Sequence, residues 1–234
     1  MQTTTRDLKT KTRELKITTF TTEDRIAAQI MQGSDEWKQL RLGKVTASRV
    51  ADVMAKIKTG EAASRSDYRT DLVVERLTGK PSDSFTNSAM QWGTEQEPLA
   101  RIKYETVFNL FVEEVPFVPH PTIEWYGASP DGLVGTDGLI EIKCPNSKTH
   151  IKYLNDGKPP AKYIPQMMSQ LACTGRKWVD FISFDPRMPD GLDFFVVRLE
   201  RDEEYIKAME AEVKQFLNEV EQELTQLRKK LNGN

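Results

Sequence analysis

Cysteine is scarce in this chain of 234 residues: Cys144 and Cys173 stand alone, without Cys-x-x-Cys spacing, so neither a zinc site nor a four-cysteine iron–sulfur cluster is available within one chain. A reduced, cytoplasmic setting is expected. Long apolar runs are missing as well. None approaches the length that crosses a membrane, and the N-terminus lacks the apolar core of a signal peptide, so no membrane is expected. No internal repeat is visible. Nor is there an excess of charge of either sign: 33 Lys and Arg stand against 35 Asp and Glu, a net of -2, which gives little general attraction for nucleic acid. The distribution is less even than the total. Residues 1–80 carry 16 bases against 11 acids, a net of +5, which makes the front of the chain the better candidate for a DNA face. The length and the 38% hydrophobic share fit one α/β domain with a full core.

What the sequence does have is one stretch dense in chemistry. Ala128-Ser129-Pro130-Asp131-Gly132 is followed, after a turn-rich gap, by Leu139-Ile140-Glu141-Ile142-Lys143. As a strand, Ile140 to Lys143 alternates apolar and polar, burying Ile140 and Ile142 and projecting Glu141 and Lys143 from the other face. Trp125 to Ser129 is expected as the partner strand. Residues 134–138 supply the turn, including the Asp137-Gly138 pair favoured in tight hairpins. Asp131 then lies close to Glu141. These carboxylates, with the exposed main-chain carbonyl of Ile142, make an oxygen-only site suited to Mg2+ or Mn2+. Such ions hold a scissile phosphate and lower the pKa of bound water, while the Lys143 ammonium can position that water. No histidine is needed. A turn aspartate beside a solvated Glu-x-Lys face would look the same piece by piece; Pro-Asp-Gly upstream and tight apolar flanks favour a phosphodiesterase metal site.

Glu97 is a third candidate acid. Thr94-x-x-Glu97 is also a capping-box pattern, and Pro98 fits a first helical turn, so Glu97 could simply close a helix N-terminus. Glu95 competes with it for the inward position.

Residues 1–31 are expected to form an extension rich in Thr and charge, and residues 32–234 the catalytic domain. Helices are expected at Asp35–Leu42 behind a Ser34 cap, Ala47–Lys58, Asp67–Leu77, Thr94–Leu110, near Pro165–Thr174 and from Asp202 onward. Strands are expected near Val112–Val118, Thr122–Ala128, Leu139–Lys143, Trp178–Phe184 and Leu192–Leu199. The last helix carries apolar residues from Ile206 through Met209, Val213, Phe216, Val220, Leu224 and Leu227 to Leu231 at 3–4 spacing. It should pack one face on its own domain, and its length past Phe216 suggests a subunit or partner contact. Nine acids against three bases between Glu200 and Leu224 argue against DNA there.

From about Gln32 to about Phe216 the chain resembles phage lambda exonuclease and the related YqaJ-type viral recombinases. The resemblance rests on residues 37–48 (WKQLRLGKVTAS), Trp92-Gly93 with Glu97, Ser129-Pro130-Asp131-Gly132, Glu141-Ile142-Lys143-Cys144-Pro145, Gln166 with Gln170, and Asp185-Pro186-Arg187-Met188, in order and with similar gaps. It implies a restriction-endonuclease-like core, a mixed central sheet flanked by helices, and a metal-dependent 5'-to-3' exonuclease acting on double-stranded DNA ends. It places Glu97 among the metal-associated acids on the helix before the hairpin. It implies a terminal 5'-phosphate pocket of Arg41, Ser48, Ser129 and Gln166, and an apolar wedge at Met90. Lys58 stands where a groove-contacting arginine is expected, and the change keeps the charge but loses the planar fork. A homotrimeric ring around DNA, a single-strand annealing protein as partner and a bacterial host cell are further implications. An endonuclease or junction resolvase of the same core, and a DNA-end-binding module whose acids are structural, are the alternatives.

Overall fold

A computed structural model describes residues 30–82 and 87–232. The expected extension over residues 1–31 therefore lies almost wholly outside the described residues. Helix α1 (Asp35–Arg41) begins at Ser34, whose Oγ accepts a hydrogen bond from the Trp37 amide at 3.1 Å. It is followed by β1 (Val45–Thr46), a 3-10 turn (Ala47–Arg49), α2 (Val50–Val53) and α3 (Ala63–Thr78). Next come α4 (Ser88–Phe108), β2 (Val112–Glu113), β3 (Val118–Pro119), β4 (Tyr126–Ala128), β5 (Gly132–Val134) and β6 (Gly138–Lys143). The chain closes with α5 (Ser147–Asp156), a second 3-10 turn (Ala161–Tyr163), α6 (Ile164–Thr174), β7 (Trp178–Phe184), β8 (Phe194–Glu200) and α7 (Glu203–Asn232).

The main sheet has the order β2-β5-β6-β7-β8, with β6 and β7 parallel and the other pairs antiparallel. A smaller sheet, β1-β4-β3, pairs β1 with β4 in parallel. The fold is the mixed α/β core that the sequence implies, with helices against both faces. Leu139 and Phe181 face a core shared with α3, α6 and α7, whereas Ile140, Ile142, Ile182 and Phe184 face Ala100 and Tyr104 of α4. Strands covered on both sides are the rule where neighbours run parallel.

Several expectations change. Residues 125–129 do not partner β6. Tyr126–Ala128 pairs instead with Val45–Thr46 and Val118–Pro119, and the hairpin mate of β6 is Gly132–Val134. Pro130 has no amide hydrogen to give to a ladder, so the chain leaves one sheet there and enters the other. The Glu141 face of β6 is not solvated, because α6 lies over it. Helix α4 starts six residues earlier than the expected Thr94: the Asn87 side chain accepts from the Met90 amide at 3.0 Å and caps it. The helix expected over residues 47–58 shortens to a 3-10 turn and α2, since the Ala55 amide reaches only Asp52. Helix α5, capped by Asn146 onto the Thr149 amide, was not expected.

Helix α7 packs on its own domain well past Phe216. Ile206, Met209, Val213, Phe216, Val220 and Leu224 are all buried in the core shared with α3 and α6. Its acids have partners too: Glu219 receives Arg65 in a two-pronged bond of 2.7 and 2.9 Å, and Glu223 receives Arg69 at 3.1 Å. The acidic window is thus half of a helix–helix ion network. Leu224 is 0% exposed and Leu231 75%. Leu224→Ala is expected to cost about 2–5 kcal/mol in urea unfolding and Leu231→Ala no more than about 0.5 kcal/mol; equal effects would show that the helix end docks elsewhere.

Candidate active site

Glu141 is 0% exposed, and both its oxygens are occupied. Gln166 Nε2 donates to Oε1 at 2.7 Å, Gln170 Nε2 donates to Oε2 at 2.5 Å, and the Lys143 ammonium pairs with Oε1. The spacing explains the convergence. Glu141 and Lys143 are two apart on a strand and share a face, while Gln166 and Gln170 are four apart on α6 and share a stripe. Tyr163 closes the far side, its ring 5.1 Å from Lys143 Nζ.

Asp131 stands at the crossing between the sheets. Its Oδ2 accepts the Ile142 amide at 2.6 Å. That amide is free because the β5–β6 ladder ends at Gly132 opposite Ile140. In a strand the carbonyl of a residue points to the same edge as its amide, so the Ile142 oxygen also faces Asp131. Burial, reinforced by Glu141 and Glu97, holds the Asp131 carboxyl well above the usual aspartate range, against the pull of Lys143 and the Ile142 amide. Burial likewise raises Glu97, with Glu141 adding to it, although Arg101 donates to Glu97 at 3.2 Å. Lys143 stays above the ordinary lysine range: burial works against its charge, but Glu141 and Asp131 outweigh it. Cys144 is pushed up to about 12 by burial and by Glu97 and Asp131, so it remains a thiol.

Glu97 sits in the body of α4. The capping box is overturned, since the Thr94 hydroxyl turns back to the Met90 carbonyl at 3.1 Å and the helix begins at Ser88. Its burial and its effect on Asp131 place it with the acids, whereas Glu95 is exposed.

Three buried or half-buried acids, Asp131, Glu141 and Glu97, thus face the cations Lys143 and Arg101, and Arg101 is shared with Glu114. That imbalance suits a divalent cation. Among the described residues no three acid, histidine or cysteine side chains close into a cage. The donor set that fits is an open one of acids and the Ile142 carbonyl, leaving positions to water and phosphate, as Mg2+ prefers.

Arg41 and Ser129 come together, with Arg41 Nη1 donating to Ser129 Oγ at 3.3 Å. The guanidinium lies 4.0 Å from the Trp37 ring, and Trp37 Nε1 donates to the same hydroxyl at 3.1 Å. Burial lowers the Arg41 pKa. The Ser48 hydroxyl is 3.3 Å from that of Thr46, and Gln166 is turned to Glu141 rather than to Arg41. Met90 is exposed on the first turn of α4, and Lys58 is exposed in the loop after α2. Gln170 and Trp37 stand in motifs that carry the resemblance but have no role assigned from sequence, and Arg101 and Tyr163 are not singled out by it at all. The one local signal was the Gln166/Gln170 spacing inside an otherwise apolar helix.

Between the ordinary aspartate value of 3.8 and the raised value of folded Asp131, the folded state holds more protons than the unfolded state. In the absence of metal, stability therefore falls as pH rises through that window. In EDTA, Asp131→Asn should be more stable than wild type at neutral pH, with the gap narrowing as pH falls toward the ordinary carboxylate range. Excess Mg2+ should stabilise wild type far more than the variant. Urea unfolding across pH reads this, and a variant less stable than wild type in EDTA would rule out a penalty, from burial and from the neighbouring acids, on the charged Asp131 carboxylate.

The profile of the YqaJ-like viral recombinase domain matches residues 36–177. No curated protein matches the chain. Among solved structures, the alkaline exonuclease LHK-Exo from Laribacter hongkongensis is 52% identical with a TM-score of 0.81, over 86% of this chain and 99% of that one. Its complex with dAMP matches to the same extent. A phage related exonuclease from Haemophilus somnus shares the fold, with a TM-score of 0.61 at 16% identity over 79% of this chain and 96% of that one.

Proposed function

This chain belongs to the YqaJ-like viral recombinase family, and from that premise we propose that it is a metal-dependent exonuclease that digests the 5'-ended strand of linear double-stranded DNA and leaves a 3' overhang. The observation that carries the proposal is the buried Asp131–Glu141–Lys143 cluster, with its surplus of negative charge and the free edge of Ile142 beside it. The 52% identical alkaline exonuclease supports the reaction class.

Asp131, Glu141 and the Ile142 carbonyl would hold Mg2+, or Mn2+, with Glu97 assisting. The chemistry such an ion would supply there is polarisation of the scissile phosphate and a lower pKa for a bound water. Lys143, kept protonated by its acids, orients that water and offsets the charge that grows on the phosphate. Gln166 and Gln170 hold Glu141 in place. Arg41 and Ser129 would grip a terminal 5'-phosphate by charge-assisted bonds, with Ser48 and Gln166 the further residues that the family resemblance implies, and so set the first phosphodiester over the acids. Exposed Met90 would meet the terminal base pair, and Lys58 the duplex behind it. A net charge of -2 holds DNA weakly, so a closed homotrimer would keep the enzyme on its substrate by encirclement. The overhang would pass to a single-strand annealing protein.

Linear duplex should be degraded with Mg2+ and spared in EDTA. Asp131→Ala, Glu141→Ala and Lys143→Ala should each lower the rate by about 100-fold or more while DNA binding persists. Cutting of closed circular duplex at a comparable rate would favour the endonuclease, and binding without cleavage the end-binding module. A 5'-phosphorylated duplex should be digested faster than one with a 5'-hydroxyl, and Arg41→Ala should shrink that preference. Sedimentation at micromolar concentration tests the ring: a monomer that digests long duplex without dissociating defeats it.

A further inference from the structure

The roles assigned above leave the outer face of α4 unused. Ala100 and Tyr104 turn that helix to the sheet, whereas Leu99 and Ile102 are exposed on its other side, and Thr106 continues their stripe at 3–4 spacing. The Glu105 carboxylate accepts the Val112 amide at 2.8 Å. That bond pins the start of β2 to the foot of the stripe and sets Phe111 there, 77% exposed. One exposed apolar residue is ordinary on a protein surface. A leucine, an isoleucine and a phenylalanine gathered along one helix face and its end mark a surface that something covers.

The rim of this patch is acidic. Glu95 stands four residues before Leu99 on the same stripe, and Glu113 and Glu114 are exposed just past Phe111. The nearby bases are already engaged, Lys103 by Asp193 and Arg101 by Glu97 and Glu114. Such a rim repels DNA. A second copy presenting the same face would set the two rims against each other.

The N-terminal segment enters the fold beside this surface. Gln32 Nε2 donates to the carbonyls of Val115 and Pro130, each at 2.9 Å, and Trp37 Nε1 donates to the Pro116 carbonyl at 2.7 Å. Val115 is four residues beyond Phe111, no more than about 14 Å of chain. From Thr106 back to Leu99 the stripe runs about 10 Å further. Residues 15–20 lie at least 12 positions before Gln32, a reach of about 40 Å when extended, so the whole patch is within their range. Their chemistry matches it as well. Leu15, Ile17 and Phe20 are apolar, and from Arg6 to Lys16 five bases stand against two acids.

We propose that the face formed by Leu99, Ile102 and Phe111 is the docking surface for this chain's own N-terminal segment. Leu15, Ile17 and Phe20 cover the apolar side chains, and the bases of residues 6–16 lie beside Glu95, Glu113 and Glu114. Held at Gln32 by the Pro130 carbonyl and on α4 by this contact, the segment straps the turn that carries Asp131 to the helix that carries Glu97.

Cysteine pairs in the full chain test the contact. Thr19→Cys with Thr106→Cys leaves every apolar residue of the contact in place, and the native Cys144 and Cys173 are buried. Oxidised with diamide at micromolar protein, this pair should form an intrachain disulfide about tenfold or more faster than Thr19→Cys with Lys56→Cys, because docking raises the effective concentration at Thr106 alone. Lys56 is exposed beside α7, across the sheet from α4. Adding Ile102→Ser and Phe111→Ser, both at exposed positions, should bring the first rate down to the second, and thermal melting shows that these variants fold. Equal rates for the two pairs, or a first rate that the serine changes leave untouched, overturn the docking. A disulfide that forms only between chains puts a second copy on the patch and overturns it too.

Discussion

Glu141 has no contact with solvent, and a buried carboxylate is tolerated only when it is paired and its lone pairs are filled. Much of the surrounding structure meets that demand. Gln166 and Gln170 supply amide donors from one stripe of α6, which fixes the rotation and the axial position of that helix over β6. Lys143 supplies the charge from the same strand face. Turning α6 by one residue would swing both amides away and bring apolar neighbours such as Met167 or Leu171 onto a carboxylate. The register of β6 is constrained in the same way, because a slip of one residue would send Glu141 into the apolar cluster of Ile140, Ile142 and Tyr104.

Satisfying Glu141 does not balance the charge around it. Asp131 and Glu97 add two more acids nearby, and the cations that face them are already engaged, Lys143 by Glu141 and Arg101 by Glu97 and Glu114. Burial first, and these neighbouring acids second, raise the Asp131 and Glu97 carboxyls. A divalent cation would relieve that surplus of charge, so affinity for the proposed ion and the raised carboxyls would share one origin. By the same logic a neutral donor at position 143 would leave Glu141 without its charge partner. Lys143 offsets a buried acid at rest and would offset the phosphate during reaction.

The alternation in Leu139–Lys143 was legible because it is local, and so was the closeness of Asp131 to the strand face shared by Glu141 and Lys143. What sequence could not provide was the identity of the strands that pair over distance. Tyr126–Ala128 has the hydrophobicity of a hairpin mate for β6, but its ladder partners are Val45–Thr46, some eighty residues earlier, and Val118–Pro119. Glu97 was ambiguous for a different reason. Thr94-x-x-Glu97 satisfies a capping pattern wherever it occurs, and only Asn87 holding the Met90 amide shows that the helix had already begun. Pro98, which fits a first turn, is carried inside the helix instead. Gln170 is a residue any helix could hold, and its role exists only because a carboxylate lies under it.

The placement of the site follows from how short β5 is. Three residues pair with β6 and then Pro130 ends the ladder, so β6 runs on past its neighbour with Ile142 and Lys143 unpaired on that edge. An uncovered edge would ordinarily be a liability. Here Asp131, the residue next to that proline, folds its carboxylate onto the Ile142 amide and leaves the carbonyl of the same residue facing the acids. A longer β5 would cover this edge with main chain and remove the carbonyl from use. A shorter one would let Asp131 drift from Glu141. The change of sheet at Pro130 therefore does more than route the chain. It carries Ser129 to Arg41 on the smaller sheet and Asp131 to Ile142 on the larger, so that a terminal phosphate and the bond behind it would be held by adjacent residues of one segment.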